Sequence, residues 1–271
     1  MSNYTEFSYN PITFFSEINK ICCIYAYYEK DEKYKDNLIF FLENGILDDV
    51  NYYITINGST TINLEVYERQ NIMFIHRENR GFDFGAYCYV LSIINKSYDY
   101  YFFINTSVKG PYLKNNNEKW TNLFIDLFYD DKVKVVGTSI NIWQPGYSND
   151  LQIYGNKPVY SHVQSMFFCL KKDYLMFLME RGFFNCEEIN NLEMIEIIIR
   201  KEIGLSQIAL NNGWNINSIL PGYKGLNYIE INEDINNTSI GGDPYFNGCF
   251  FSNTINKYDA VFFKINRDID Y

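Results

Sequence analysis

Between Ile21 and Ile104 the chain alternates short apolar runs of strand character with stretches of helical spacing, and few folds accommodate that order. Ile21 to Tyr28 (ICCIYAYY) is the first run. Asn37 to Gly45 reads as the end of a helix stopped by a C-capping glycine. Tyr52 to Asn57 is a second strand turning at Gly58, and Asn71 to His76 is a third. Phe84 to Ile94 has helical spacing after Gly81 and Asp83. Tyr100 to Ile104 (YYFFI) is the most apolar strand and ends abruptly in Asn105-Thr106-Ser107. Strands follow at Val133 to Thr138 and Ser165 to Leu170, and a long helix at Asn191 to Leu210 stops at Gly213. Beyond residue 229 the pattern becomes turn-rich, with Gly241-Gly242-Asp243-Pro244 and one late strand, Ala260 to Ile265. The expectation is an α/β fold with a largely parallel sheet, a core of residues 1–229 and a C-terminal extension, 230–271, packed on it. Such sheets bind ligands beyond the carboxyl ends of their strands. The polar tips to watch are Asn57-Gly58-Ser59, Glu78 to Asp83 and Asn105-Thr106-Ser107.

A length of 271 residues suits one large domain, and 47% hydrophobic residues can bury its core. The 33 acidic against 23 basic residues give a net charge of -10, which argues against nucleic-acid partners and a polybasic membrane surface. The 25 Tyr and 22 Phe, with abundant Asn, Ile and Lys, fit an A/T-rich coding sequence, so an aromatic stripe says little about a ligand. Six cysteines form no CxxC and no Cys/His cluster, as buried thiols in a reducing compartment do. Met1 to Glu6 lacks the features of a secretory signal, and no run approaches the ~18 apolar residues of a membrane span. A soluble, cytoplasmic protein without an integral membrane segment is expected. Dinucleotide, P-loop, nucleophile-elbow and HExxH signatures are absent. With only His76 and His162, a site with three His ligands is excluded.

Three ordered segments are more specific: Glu78 to Tyr87 (ENRGFDFGAY), Tyr101 to Pro111 (YFFINTSVKGP), and Ser161 to Phe168 (SHVQSMFF), the last followed by Glu202 to Ser206 (EIGLS). With Tyr27-Tyr28-Glu29-Lys30, Ile56-Asn57-Gly58 and Phe262 to Arg267 (FFKINR), the chain resembles the GT-A-type glycosyltransferases of large DNA viruses and the bacterial rhamnan-synthesis F-like group. The resemblance runs from Ile21 to Arg267. It implies a GT-A-like, Rossmann-type nucleotide-sugar-binding fold with a mainly parallel central sheet flanked by helices. It also implies transfer of a hexosyl or deoxyhexosyl unit from a nucleotide-diphosphate sugar, UDP-linked as the first choice, by inverting displacement. The acceptor would be a glycan or glycoprotein of a virion or cell surface, and a viral protein would act in the host cytoplasm.

The resemblance assigns the donor to Tyr27, Tyr28, Asn57, Gly58, Asn79, Arg80, Asp83, Gly85, Asn105, Thr106, Ser107 and Lys109. Asn105-Thr106-Ser107 stands where many relatives carry Asp-x-Asp, so Mn²⁺ or Mg²⁺ there would meet Asn105 and Ser107, poor ligands for a hard ion. Either Asp83 or a water shell then supplies the missing anion, or cations replace the metal, with Arg80, Lys109, Lys264 and Arg267 as candidates to neutralise the diphosphate. Glu202 is the candidate general base, with Asp83 and His162 as further catalytic candidates. Trp143, His162, Gln164 and Ser165 are candidates for the acceptor. Each has a plainer role available: Asp83 as an N-cap, Glu202 as a solvated helix residue, His162 as a hydrogen-bonded structural residue. The rival functions are a non-catalytic nucleotide-sugar or glycan-binding module and a scaffold retaining only the fold.

Overall fold

The computed structural model describes residues 20–115, 117–145, 150–265 and 267. The stretch Met1 to Glu6 and the final four residues of the expected extension lie outside them. The chain opens with β1 (Ile21–Tyr27), α1 (Glu32–Asn44), β2 (Val50–Asn57), β3 (Ile72–Arg77), α2 (Phe82–Ile93), β4 (Tyr100–Asn105) and the two-residue β5 (Val108–Lys109). Helix α3 (Trp120–Ile125) leads to β6 (Val133–Gly137), β7 (Ile140–Trp143), β8 (Tyr160–Val163) and β9 (Phe167–Lys171). After α4 (Lys172–Glu180) and α5 (Cys186–Ile189), α6 (Met194–Ile197) runs through a π-helical segment, Ile198–Ile203, into α7 (Gly204–Asn211). Strand β10 (Asn215–Ser218), α8 (Lys257–Ala260) and β11 (Phe263–Lys264) complete it.

Seven strands form one sheet in the order β10-β6-β9-β4-β1-β2-β3. The pairs β1–β2, β2–β3, β1–β4 and β6–β10 are parallel, and β9 runs antiparallel between β4 and β6. The fold is thus mixed α/β, with a mainly parallel sheet flanked by helices. Burial on both faces explains why β1, β2 and β4 read as continuous apolar runs rather than alternating ones. The tyrosine and phenylalanine surplus fills this core: Phe167 stacks on Phe262 with ring centroids 4.4 Å apart, and Trp120 meets both Phe102 and Phe262 edge-on. Tyr245, Ile255 and Phe262 belong to the same buried cluster as residues of the sheet.

Several local expectations change. Gly45 does end α1, but at φ -106° rather than in a left-handed cap. Its glycine character is needed for space, because a Cβ there would press on the Phe41 ring and on Pro111. The long helix over 191–210 begins later, at Met194, and is loosened into a π turn at 198–203. The late strand shrinks to two residues, with 257–260 helical. All six cysteines are free, five of them buried and Cys186 half-buried. Among the described residues no helix is long and apolar enough to cross a membrane.

Candidate functional site

The parallel strands β1, β2 and β4 end together, and their carboxyl tips form the floor of a cleft of about 820 Å³. Thr106 ties this floor. Its Oγ1 donates to the Ala26 carbonyl (3.1 Å) and accepts from the Tyr28 amide (3.1 Å), and its own carbonyl accepts from Asn37 Nδ2 (2.7 Å). Asn57 is held similarly: Nδ2 donates to the Tyr27 carbonyl (2.7 Å), and Oδ1 accepts from Arg77 Nη1 (2.5 Å).

Helix α2 delivers Asp83. The chain enters it through Gly81 at φ 69°, and then Phe82 at φ 55°, a left-handed conformation that a bulky residue rarely holds. Asp83 therefore sits inside the first turn, not before it, and the N-cap is Gly81. Its Oδ1 accepts from the Phe84 amide (2.9 Å) and Oδ2 from Asn105 Nδ2 (2.9 Å). Asn105 Oδ1 is engaged by the Ser107 amide (3.0 Å) and Ser107 Oγ (2.6 Å). Asn105 thus turns a donor toward Asp83, and the carboxylate that its own position lacks arrives from α2. Burial raises the Asp83 carboxyl, the Asn105 hydrogen bond pulls it back, and the Glu202 charge adds to the rise, leaving it at about 6.

The opposite wall comes from β7, β8 and the π turn. Gln164 Oε1 accepts from Ser139 Oγ (2.6 Å), and Ser165 Oγ donates to Glu202 Oε2 (2.6 Å). His162 Nε2 lies 3.7 Å from Glu202 Oε1. Its Nδ1 is 2.9 Å from the Tyr160 carbonyl, which only accepts, so Nδ1 carries the proton and neutral His162 presents a lone pair at Nε2. Burial lowers the His162 pKa more than the Glu202 charge raises it. The π turn orients Glu202: Lys201 points inward, donating to the Phe183 carbonyl (2.8 Å), while Glu202 faces the cleft. Tyr154 Oη donates to the loosened Ile199 carbonyl (3.1 Å), and a Cβ at Gly204 would press on that hydroxyl. Glu202 thus lies inside a continuous helical run rather than ahead of a helix.

The third wall belongs to the C-terminal segment. β11 pairs antiparallel with β5, and the Ile265 amide donates to the Ser107 carbonyl (3.0 Å), which brings Lys264 and Arg267 beside the donor corner. Both face buried Asp243: Arg267 Nη2 donates to Oδ2 at 3.0 Å and Lys264 Nζ lies 3.9 Å from it. Burial works to raise the Asp243 carboxyl, but Lys264, the Tyr245 amide and Arg267 outweigh it and hold it low. Burial lowers Lys264, against the pull of Asp243. Arg267 Nε is buried and has no partner among the described residues.

The cleft brings together Tyr28, Asn57, Asn79, Asp83, Asn105, Thr106 and Ser107 of the donor candidates. Trp143, His162, Gln164, Ser165, Glu202, Lys264 and Arg267 join them. Five other candidates stand off its walls. Tyr27 is buried and donates to Glu29 Oε2 (2.8 Å). Gly58 turns the chain after β2 at φ 92°. Arg80 is exposed, and its carbonyl accepts from Arg77 Nη2 (2.9 Å). A Cβ at Gly85 would collide with that same Arg80 carbonyl, so this glycine serves packing of the loop on α2. Lys109 lies over the Phe40 ring, 5.2 Å from its centroid. Sequence reasoning missed Asn141, Phe246, Met194, Ile198 and Asp243 on the walls; the Gly241-Gly242 turn was the one signal near Asp243.

For a divalent ion, no group of three or more His, Cys, Asp or Glu gathers among the described residues. At the expected metal position Asn105 Oδ1 accepts from both the amide and the hydroxyl of Ser107, and both side chains are neutral. Asp83 does fit an ion shared with phosphate oxygens of a substrate, the mode Mg²⁺ favours over an all-protein cage.

No family model matches the chain, and no curated protein does. Among solved structures it is similar to a mannosyltransferase from Pyrobaculum calidifontis in complex with GDP-Man and Mn²⁺, at 10% identity and a TM-score of 0.47, covering 73% of this chain and 54% of that one. It is also similar to a glycosyltransferase involved in glycosylation of the major capsid of PBCV-1 (10% identity, TM-score 0.36, 66% and 73% covered). A third is the galactosyltransferase LgtC in complex with donor and acceptor sugar analogs (10% identity, TM-score 0.41, 66% and 70% covered). These neighbours are GT-A glycosyltransferases, and activity must be argued from the site itself.

Proposed function

We propose that the protein is a glycosyltransferase that moves a hexosyl or deoxyhexosyl unit from a nucleotide-diphosphate sugar to a glycan or glycoprotein hydroxyl, with inversion. The observation that carries this reading is one cleft holding a carboxylate-bearing donor corner, two cations and, across from them, a carboxylate with one oxygen left open. The strand tips take the nucleotide, with Asp83 toward ribose or donor-sugar hydroxyls. Lys264 and Arg267 neutralise the diphosphate, and the unpartnered Arg267 Nε gives it a further donor. The acceptor oxygen attacks the anomeric carbon, the bond from that carbon to the diphosphate oxygen breaks, and the diphosphate leaves with the electron pair.

Glu202 takes the hydroxyl proton. Ser165 occupies Oε2, which leaves Oε1 for the acceptor, with the Nε2 lone pair of His162 3.7 Å away. Bound Mn²⁺ or Mg²⁺ would be held by Asp83 and would add positive charge at the leaving diphosphate. Trp143 and Gln164 border the acceptor side. Uridine is the first base to try, the product belongs to a virion or cell-surface glycan, and the free thiols suit a cytoplasmic, reducing setting.

The test is thermal stabilisation by nucleoside diphosphates and their sugars, with and without Mn²⁺. A ligand at a hundredfold excess over Kd adds about 2.7 kcal/mol. A shift with one diphosphate identifies the base, and product anomeric configuration then reports inversion. No shift at millimolar ligand overturns the reading. Neutral Asn105-Thr106-Ser107 favours one second reading, binding without turnover, in which Glu202→Gln alters nothing.

A further inference from the structure

Met194, Ile198 and Glu202 stand four residues apart on one continuous helical run, and all three line the cleft. The stripe runs from Glu202 in the π turn to the helix start at Met194. Its outer end is open, with Met194 63% exposed, and Ile240 faces the same space at 57% exposure. Beyond the rim, Ile195 and Ile199 of the same run line a second groove with Ile153. Exposed apolar side chains gathered in one place mark a binding surface, and methionine adapts to irregular apolar partners. A sugar ring needs hydrogen-bonding groups around its hydroxyls, and an aliphatic stripe offers none.

We infer that the acceptor is amphiphilic: a polar head places its hydroxyl at Glu202, and an aliphatic chain attached to that head runs outward along Ile198 and Met194 and under Ile240. This rests on Glu202 being the base of the proposed transfer. The bonds made and broken are unchanged, and the aliphatic chain contributes binding only.

Ligand-observed NMR titration of the full chain with octyl β-D-glucopyranoside and methyl β-D-glucopyranoside, below the octyl compound's micelle concentration, tests this without a donor. The octyl compound should bind at least about tenfold more tightly (about 1.4 kcal/mol). A Met194→Ser, Ile240→Ser double variant, altered only at exposed positions, should lose that preference and keep its melting temperature. Equal affinities, or an octyl preference that survives the double variant, overturns the inference. Failure of the transferase reading shows up separately, as the absence of any nucleotide-induced stabilisation.

Discussion

On the donor side of the cleft, Asn57, Thr106 and Asn105 have their side-chain oxygens bonded within the strand tips, and the floor is set before any ligand arrives. On the acceptor side, Met194, Trp143 and Ile240 project from a helix start, a short strand end and a loop, and remain exposed. The first wall is preorganised by hydrogen bonds and suits a ligand of fixed shape. The second is apolar and adaptable, and suits a partner that varies. Glu202 belongs to the second wall in sequence but to the first in manner, since Ser165 holds its carboxylate by a hydrogen bond.

The sharpest way to break this contrast is at Glu202 itself. Glu202→Gln should lower transfer by about 10²- to 10⁴-fold while leaving nucleotide-induced stabilisation in place. A variant that keeps its rate would remove the base from the mechanism. Asp83→Asn should weaken nucleoside diphosphate binding by about tenfold (about 1.4 kcal/mol) and abolish any Mn²⁺-dependent part of the thermal shift. An unchanged metal response would leave the cations alone on the diphosphate.

Ser165→Ala removes a hydrogen bond to a charged group, worth about 1.5–3 kcal/mol, and should lower kcat about tenfold with KM unchanged. Ser165→Thr should restore it; a rise in KM instead would make Ser165 an acceptor contact. The smallest effect is on stability. Burial tends to raise Glu29, but bonds from Thr61, Thr60 and Tyr27 hold it at about 2. Its contribution is therefore present above the ordinary carboxylate range near pH 4.5 and is lost as pH falls toward 2. Acid titration of Tm should be shallower in Glu29→Gln, and identical slopes would show that the clamp is indifferent to charge.

The strand tips on the cleft floor were legible because their motifs sit at the ends of parallel strands that follow one another in the chain. The placement of Asn105-Thr106-Ser107 after an apolar strand needed only the abrupt polar stop. The bond between Asp83 and Asn105 was not legible, because it depends on Phe82 holding a left-handed backbone. Charge alone does not place Lys109 and Arg80 either: Lys109 lies over the Phe40 ring, and Arg80 is on the surface. Asp243 meets Lys264 and Arg267 across a turn-rich segment that carries no periodicity to read. The π turn has no pattern of its own either; it becomes intelligible only with Tyr154 bonded to Ile199.

That π turn gives the molecule a particular genetic fragility. Downstream, α7 is anchored by Ser206 Oγ accepting from the Val163 amide and by Gln207 donating to the Ser161 carbonyl. A π turn holds one residue more than an α turn, so removing one residue between Ile198 and Ile203 would restore ordinary α-helical winding and leave the segments on either side in their present orientation. A single in-frame codon loss would thus change how position 202 is presented to the cleft while preserving strand order and core. The presentation of Glu202 to the cleft is thus set by the number of residues in this turn as much as by their identity.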